Sequence, residues 1–203
     1  MTSWAILPLA QAHVVQAVEV HLRSFPNFFL SFLGPRFLRE FYASFLVDKE
    51  GIGFVAQKPN GEIVGMVVGA LNPRGFFKRL LMRRWLAFCF ASVGSLLKQP
   101  TCFFRLIRAV FYRGNSPSGP SRALLSSIAV DPRVQSIGVG KALVESWVAE
   151  VQKRGLTGCY LTTDADGNKL VNNFYEHLGW KLESSYLTPE GRRMHRYVYD
   201  FIP

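Results

Sequence analysis

Residues 130–143 of the chain read V-D-P-R-V-Q-S-I-G-V-G-K-A-L, so that an apolar strand leads through a turn into an amphipathic helix. Gly138 and Gly140 remove the side chains that would keep an anion away from the main chain in this turn. The free N–H groups at the start of a helix add roughly half a positive charge. The turn is therefore expected to bind phosphate, and the sequence predicts a nucleotide-like ligand.

Spacing separates this turn from two common phosphate-binding motifs. A dinucleotide fingerprint requires a third glycine where this chain has Leu143, and a P-loop requires Ser or Thr after its lysine, where Lys141 is followed by Ala142. The segment Gln135–Gly140 instead resembles the Q/R-x-x-G-x-G/A signature of the GCN5-related N-acetyltransferases (GNAT). In that family the loop wraps the pyrophosphate of coenzyme A.

A second signature lies downstream, where residues 168–180 read N-K-L-V-N-N-F-Y-E-H-L-G-W. This segment resembles the family pattern N-x-x-A-x-x-[FL]-Y-E-x-x-G-[FW], with Val171 at the common alanine. The residues alone also predict a helix, because Gly179 is placed for the left-handed residue that ends one. Apolar residues recur every four positions and predict its buried face: Leu170, Phe174 and Leu178. The close resemblance covers residues 124–180.

Length and composition fit one domain over residues 1–203, since 203 residues with 49% hydrophobic content can bury a substantial core. The first residues lack a charged start and reach Pro8 before any apolar run of signal-peptide length, which predicts a cytoplasmic protein. The three cysteines are odd in number, have no C-x-x-C spacing and are expected to be small buried hydrophobes. No metal site is predicted.

Charge is concentrated in one part of the chain. From Ile63 to Val130 there is no Asp or Glu, while ten Lys and Arg residues account for the whole net charge of +10. Such a field predicts an anionic partner. Most of it falls in an insertion at about residues 74–120, where segments 76–97 and 101–112 have helical patterns.

Two interpretations of this insertion remain open. Basic, aromatic-rich amphipathic helices bind anionic membrane surfaces, here the inner face of the membrane, but the same helices also fit a lid over an acceptor cleft. Residues 85–97 form an uncharged run of about 20 Å as a helix, too short for a bilayer core of about 30 Å. Nucleic-acid binding is not expected, because no recognisable nucleic-acid fold accompanies the charge.

Strands and helices alternate along the chain and predict an α/β or α+β domain with a mixed, mostly antiparallel sheet flanked by helices. The basic helical insertion falls between the third and fourth strands. Strands are predicted at 4–9, 53–57, 62–71, 122–130, 159–163, 180–187 and 193–201, and helices at 11–23, around 37–46 and at 139–154. The resemblance implies that the fourth and fifth strands are parallel and splay apart to admit acetyl-CoA.

The same resemblance implies roles for individual residues. The main chain of Ile128, Ala129 and Val130 would pair with the pantetheine arm, and the Ile128 N–H would face the thioester carbonyl. Asn168 would hydrogen-bond the cofactor, and Tyr175 would protonate the departing sulfur as a general acid. The pyrophosphate would be held by the main-chain amides of Gln135, Ser136, Ile137, Gly138, Val139, Gly140 and Lys141.

The general base is not identified by the sequence. The fourth strand, residues 123–127, contains no carboxylate, so water, Asp164, Asp166, His21 and His177 remain alternatives. The resemblance implies an N-acetyltransferase that moves the acetyl group directly to an amine: a small amine, an amino sugar, a lipid-linked intermediate or a protein amine. The alternative is a non-catalytic CoA-binding or membrane-docking module of the same fold.

Overall fold

A computed structural model gives the fold of the chain and describes residues 3–73, 76, 79, 122–134, 138–189 and 191–201. Its strands are β1 (Ala5–Pro8), β2 (Gly51–Gln57), β3 (Ile63–Ala70), β4 (Arg122–Val130), β5 (Gly158–Asp164), β6 (Lys181–Leu187) and β7 (Arg193–Asp200). Its helices are α1 (Val14–Ser24), α2 (Phe29–Phe32), α3 (Gly34–Val47), α4 (Val139–Lys153) and α5 (Lys169–His177). Short 3-10 turns cover Gln11–His13 and Pro132–Val134.

The described strands form one sheet in the order β1-β2-β3-β4-β5-β7-β6. Strands β4 and β5 are parallel, whereas the other neighbouring pairs are antiparallel. This arrangement confirms the predicted mixed, mostly antiparallel sheet flanked by helices. The predicted insertion at about 74–120 lies outside the described residues except for Phe76 and Arg79.

Helices cover both faces of the sheet and bury two apolar clusters. On one face, α1 and α3 pack on β3, where Val18, Tyr42 and Met66 belong to the same buried cluster. On the other face, α4 packs its apolar side on β2 to β4, and Trp147 is fully buried there. A Cβ at Gly69 would collide with the Trp147 ring, so this glycine lets the helix approach the strand closely.

Strands β4 and β5 separate part-way along their length. Their pairing runs from Arg122 opposite Gly158 to Leu124 opposite Tyr160 and then stops. On the other side of β4, the register with β3 shifts between Val68 and Gly69, just beyond the point where pairing with β5 stops. A bulge bends a strand and increases its local twist. The bend accounts for the predicted splay and leaves a cleft beside the second half of β4.

A short helix, α2, lies in the segment around residues 25–35, for which no element was predicted. One local prediction was wrong. Leu170 was placed on the buried face of its helix, but it is 87% exposed. The face of α5 that enters the core carries Asn172 and Tyr175, with Phe174 and Leu178 at its edge.

Candidate active site

The edge of β4 that faces the cleft is open to a ligand. The N–H of Asp131 donates to a β3 carbonyl at 2.9 Å, so Ala129, two residues earlier, is also a hydrogen-bonded position of this antiparallel pair. The main-chain N–H and C=O groups of Ala129 therefore point towards β3, whereas those of Ile128 and Val130 point into the cleft. Of the three positions predicted to pair with pantetheine, Ile128 and Val130 are the ones available.

The glycine turn has the geometry of an anion site. Gly138 is the N-cap of α4 with φ of 88°, a conformation that favours glycine. No atom of the described residues lies within 4 Å of the position that a Cβ would occupy there. The first helical bond runs from the Ala142 N–H to the Gly138 carbonyl at 3.0 Å. The N–H groups of Val139, Gly140 and Lys141 therefore have no acceptor within the helix, and among the described residues they are available to an anion.

The same turn lies against the other two parts of the site. A Cβ at Gly140 would lie 3.5 Å from the Phe174 ring and 3.6 Å from Val130, so the start of α4 meets both α5 and the end of β4. The Val139 side chain is buried in the core, and the Lys141 amine lies 3.8 Å from Glu145 on the surface. The predicted contacts of Gln135, Ser136 and Ile137 lie outside the described residues.

Asn168 precedes α5 and is anchored to the end of β5. Its Nδ2 donates to Thr163 Oγ1 at 2.8 Å and to the Asp164 carbonyl at 3.2 Å. It occupies the N-cap position, but its side chain makes no capping bond. Both of these bonds use the amide nitrogen, so the side-chain oxygen is the atom with which Asn168 would accept a hydrogen bond from a ligand.

Tyr175 lies in the aromatic cluster between α4, α5 and the sheet. Its ring centroid is 5.2 Å from that of Phe174, 5.8 Å from that of Trp180 and 6.1 Å from that of Tyr197. The described residues give its hydroxyl no hydrogen-bond partner. Burial raises the pKa of Tyr175 above its ordinary value. The phenol is therefore protonated throughout the physiological pH range and able to donate.

Three of the candidate bases either make hydrogen bonds to other protein groups or are exposed to solvent. Both carboxylate oxygens of Asp164 accept hydrogen bonds from Arg192 at 2.7 Å. His177 is exposed, and its Nδ1 lies 2.6 Å from the Asn173 carbonyl within the same helix. Asp166 is exposed in the turn before α5. These contacts give Asp164 and His177 structural roles.

His21 is the fourth side-chain candidate, and it belongs to a buried hydrogen-bonded chain. His21 Nδ1 lies 2.6 Å from the Tyr42 hydroxyl, which lies 3.4 Å from Ser127 Oγ on β4. Burial lowers the pKa of His21 to about 4. Burial also raises the pKa of Tyr42 above its ordinary value. At neutral pH the imidazole is therefore uncharged and the phenol is protonated.

Tyr42 and Ser127 are absent from the residues predicted from the sequence. A signal for Tyr42 exists, because it stands four residues after Leu38 and three before Phe45, both buried on the same helix. A polar group at such a core-facing position requires a partner. Ser127 has no comparable signal, since its neighbour in space comes from a helix more than eighty residues away.

An ionic cluster braces the end of β4 just before the turn. The Asp131 side chain is fully buried and lies 2.9 Å from an Arg23 nitrogen and 2.7 Å from an Arg133 nitrogen. Hydrogen bonds from Arg133 hold the pKa of Asp131 well below its usual range. Ser24 donates to the Val130 carbonyl at 2.9 Å. The end of α1 is thus fixed to β4, and the N–H of Val130 remains for a ligand.

Asp131→Asn is expected to lower the free energy of unfolding by about 2 kcal/mol at pH 7, because it removes a buried charge from two exposed partners. The folded pKa of Asp131 is depressed, so its contribution is present above the unfolded pKa of about 3.9 and is lost as pH falls through the folded pKa. Urea titrations from pH 7 to pH 2 would measure this. Glu150→Gln, which breaks the exposed pair with Arg154, should cost less than about 0.5 kcal/mol. Equal losses in the two variants would contradict the bracing role.

No group of three or more His, Cys, Asp or Glu side chains that could hold a metal ion occurs among the described residues. Within the same part of the chain, no helix is long and apolar enough to cross a membrane.

Comparison with known proteins gives a family-level match. The sequence model described as the Acetyltransferase (GNAT) family matches residues 16–180. The ribosomal protein bS18-alanine N-acetyltransferase of Escherichia coli (strain K12) is 38% identical over 74 residues, which cover 34% of this chain and 49% of that protein. The match therefore spans about half the length of this curated relative.

Solved structures share the fold at low identity. An acetyltransferase of the GNAT family from Desulfovibrio desulfuricans superposes with a TM-score of 0.64 at 14% identity, over 98% of this chain and 99% of that one. The ribosomal-protein-S18-alanine N-acetyltransferase from Escherichia coli gives 0.58 at 18%, over 98% and 94%. Arabidopsis thaliana NAA60, solved in complex with acetyl-CoA, gives 0.59 at 16%, over 98% of both chains.

Proposed function

Because the chain belongs to the GNAT acetyltransferase family, we propose that it transfers an acetyl group from acetyl-CoA directly to an amine. The observation that carries this proposal is the meeting of three features at one cleft. The open edge of β4, the free N–H groups at the start of α4 and the Asn168 side chain lie around the point where β4 and β5 part. In that order, the three features match the pantetheine arm, the pyrophosphate and the adjoining amide groups of acetyl-CoA.

The cofactor would be held mainly by main-chain groups. Ile128 and Val130 would pair with the pantetheine arm as an added strand, and the turn from Gly138 to Lys141 would donate to the pyrophosphate. The open space at the Gly138 Cβ position supports this fit, because a phosphate approaches main-chain N–H groups closely only where no side chain intervenes. From the sequence, Gln135, Ser136 and Ile137 would complete the turn.

The bound cofactor would supply an activated acetyl thioester, and the chain would stabilise the charge that develops on it. The Ile128 N–H would donate to the thioester oxygen, as an oxyanion-stabilising group does. The Tyr175 hydroxyl would donate its proton to the departing sulfur. The burial that raises the pKa of Tyr175 would also raise the pKa of a thiol that leaves into the same surroundings. Because both pKa values rise, burial does not by itself oppose proton transfer from the phenol to the sulfur.

Direct transfer is preferred over an acyl-enzyme. Cys159 is fully buried, and burial raises the pKa of its thiol above the ordinary value. Its sulfur donates to the Tyr199 carbonyl at 3.7 Å. A protonated, enclosed thiol is a poor nucleophile, so the described residues offer no covalent route through this cysteine. Cys89 and Cys102 lie outside the described residues.

The acceptor is proposed only by class, as a primary amine. One relative is a ribosomal-protein alanine N-acetyltransferase, and one fold neighbour is a spermidine/spermine N-acetyltransferase from Vibrio cholerae. Thiol release from acetyl-CoA should therefore be assayed with peptides bearing N-terminal alanine, with spermidine, with glucosamine and with an amine-headgroup lipid. Turnover with at least one amine is expected. Tight binding of acetyl-CoA without turnover on any amine would favour the alternative, a non-catalytic CoA-binding or membrane-docking module.

We also propose that the acid-free insertion contacts anionic membrane, which would place the protein at the inner face of the membrane. Vesicles with anionic lipid should bind the protein, and binding should weaken as salt rises, because the cations act within a Debye length of about 8–10 Å. Arg79 is set aside because it donates to the buried carboxylate of Asp48 at 3.0 Å. The test variant therefore changes Arg83, Arg84, Arg105 and Arg108 to Gln.

A matched control removes the same charge elsewhere. It changes the exposed residues Lys49, Lys153, Lys181 and Arg193 to Gln. Sedimentation with vesicles should fall about tenfold for the insertion variant and less than twofold for the control. Equal sedimentation of the two variants would leave the insertion as a lid over the acceptor site and return the proposed acceptor to a soluble amine.

A further inference from the structure

A polar chain crosses the otherwise apolar face of the sheet beneath α1 and α3. It consists of His21, Tyr42 and Ser127, called here the hydroxyl chain, and it joins α1 through α3 to β4. His21 and Tyr42 are buried, whereas Ser127 is partly exposed. Ser127 immediately precedes Ile128, whose N–H faces the cleft. The hydroxyl chain therefore begins in the core and ends at the position where an acetyl group would be held.

The tautomer of His21 decides the direction of the hydrogen bonds along this chain. The uncharged imidazole of His21 has one accepting nitrogen, and a phenol is a stronger donor than a neutral imidazole N–H. In the tautomer that carries its proton on Nε2, an atom with no hydrogen-bond partner among the described residues, Tyr42 donates to His21 Nδ1. In this arrangement the Ser127 hydroxyl donates to Tyr42, and Ser127 Oγ keeps a lone pair that can accept a further hydrogen bond.

The surroundings of Ser127 suit an incoming acceptor. The side chain of Ser127 lies on the α1 and α3 face of the sheet, since its register partner Val68 belongs to that buried cluster. Helix α4, whose start we propose to bind phosphate, covers the opposite face. Ser126 Oγ, at the bulge of β4, is enclosed and has no hydrogen-bond partner among the described residues. An acceptor approaching here would meet the acetyl carbonyl from the side opposite the cofactor helix.

We propose that Ser127 binds the acceptor amine by accepting one of its N–H groups, and that Tyr42 and His21 are positioning residues that hold the Ser127 hydroxyl in the accepting orientation. The inference rests on the proposed acetyl transfer to an amine. One N–H of the amine would point at Ser127 Oγ, which turns the nitrogen lone pair towards the carbonyl carbon. No proton is transferred along the hydroxyl chain in this role.

The test uses the amine from the panel with the highest turnover by the wild-type protein. Ser127→Ala should raise the KM for that amine about tenfold, the effect of one lost hydrogen bond, and leave the KM for acetyl-CoA within about twofold. Ser127→Thr keeps the hydroxyl and should restore most of the amine affinity. Tyr42→Phe should raise the amine KM in the same direction. Adding Tyr42→Phe to Ser127→Ala should have no further effect, because Tyr42 acts through Ser127.

Ser44→Ala is the control, because Ser44 is a buried hydroxyl on the same helix as Tyr42 that bonds to the Phe41 carbonyl instead. It should leave both KM values unchanged, and acetyl-CoA binding by calorimetry confirms that each variant is folded. Unchanged amine KM in Ser127→Ala and Tyr42→Phe, or equal increases for the amine and for acetyl-CoA, would overturn the inference. Absence of wild-type turnover on every amine would overturn the proposed function and this inference with it.

Discussion

Tyr175→Phe is expected to lower kcat for acetyl transfer by about 10²- to 10⁴-fold, the range typical for loss of a general acid. The ring remains in its aromatic cluster, where Phe174 and Trp180 surround it, so acetyl-CoA affinity should change by less than about twofold. The substitution removes only the proton that would reach the departing sulfur. Rapid-quench measurement of a single turnover would isolate this chemical step from product release.

Tyr197→Phe provides a matched control within the same aromatic cluster. Tyr197 is also a buried tyrosine, but its hydroxyl donates to Glu176 at 2.8 Å, whereas the Tyr175 hydroxyl has no partner among the described residues. Removal of the Tyr197 hydroxyl should change the single-turnover rate by less than about threefold. If the two variants slow the reaction equally, Tyr175 is a packing residue. If neither slows it, another group protonates the sulfur.

The parts of the site that sequence could predict are those fixed by short-range chain geometry. The strand Arg122–Val130 and the helix that starts at Val139 were predicted almost to the residue, because a strand, a glycine turn and an amphipathic helix each leave a local pattern. The left-handed conformations of Gly138 and Gly179 follow from the same local chemistry. The glycine turn that we propose to bind phosphate is therefore visible in the sequence before any tertiary contact is known.

Features that depend on which elements meet in space were not predictable in this way. Leu170 fits the helical period of α5, but it lies in the first turn, where the structure leaves it exposed to solvent. Periodicity identifies a helix face without fixing how far along the helix the core extends. The hydroxyl chain needs α1, α3 and β4 together. Tyr42 stands at a core-facing position of its helix, which indicates that its hydroxyl needs a partner, but nothing in the sequence identifies Ser127 as that partner.

Ala129 illustrates the same limit at the level of a single residue. A run of three residues on β4 suggested three main-chain contacts with a cofactor, but an extended strand turns alternate residues to opposite edges. The hydrogen bond from the Asp131 N–H to β3 fixes which alternation applies, and it assigns Ile128 and Val130 to the cleft. Sequence reveals the strand, whereas only the register with β3 reveals which of its amides are free.

Gly138→Asp is expected to abolish measurable binding of acetyl-CoA. The new carboxylate would occupy the empty space at the Cβ position and stand within about 4 Å of a bound phosphate. Repulsion at that distance is worth about 4 kcal/mol at an effective dielectric constant of about 20, or roughly a thousandfold in affinity. Aspartate tolerates a φ of 88° better than most residues, so the fold should persist. Isothermal titration calorimetry with acetyl-CoA gives the dissociation constant directly.

Gly155→Asp separates repulsion at the phosphate site from backbone strain and added charge. Gly155 has a similar φ of 77° and equally open surroundings, but it lies beyond the far end of α4. Strain is therefore matched between the two variants, while the carboxylate at residue 155 is a helix length away from the proposed phosphate. Gly155→Asp should bind acetyl-CoA within about twofold of the wild-type protein, and Gly138→Ala, which adds strain without charge, should lose less than about tenfold. Wild-type affinity in Gly138→Asp would refute phosphate binding at this turn, and an equal loss in Gly155→Asp would attribute the effect to backbone strain or net charge instead.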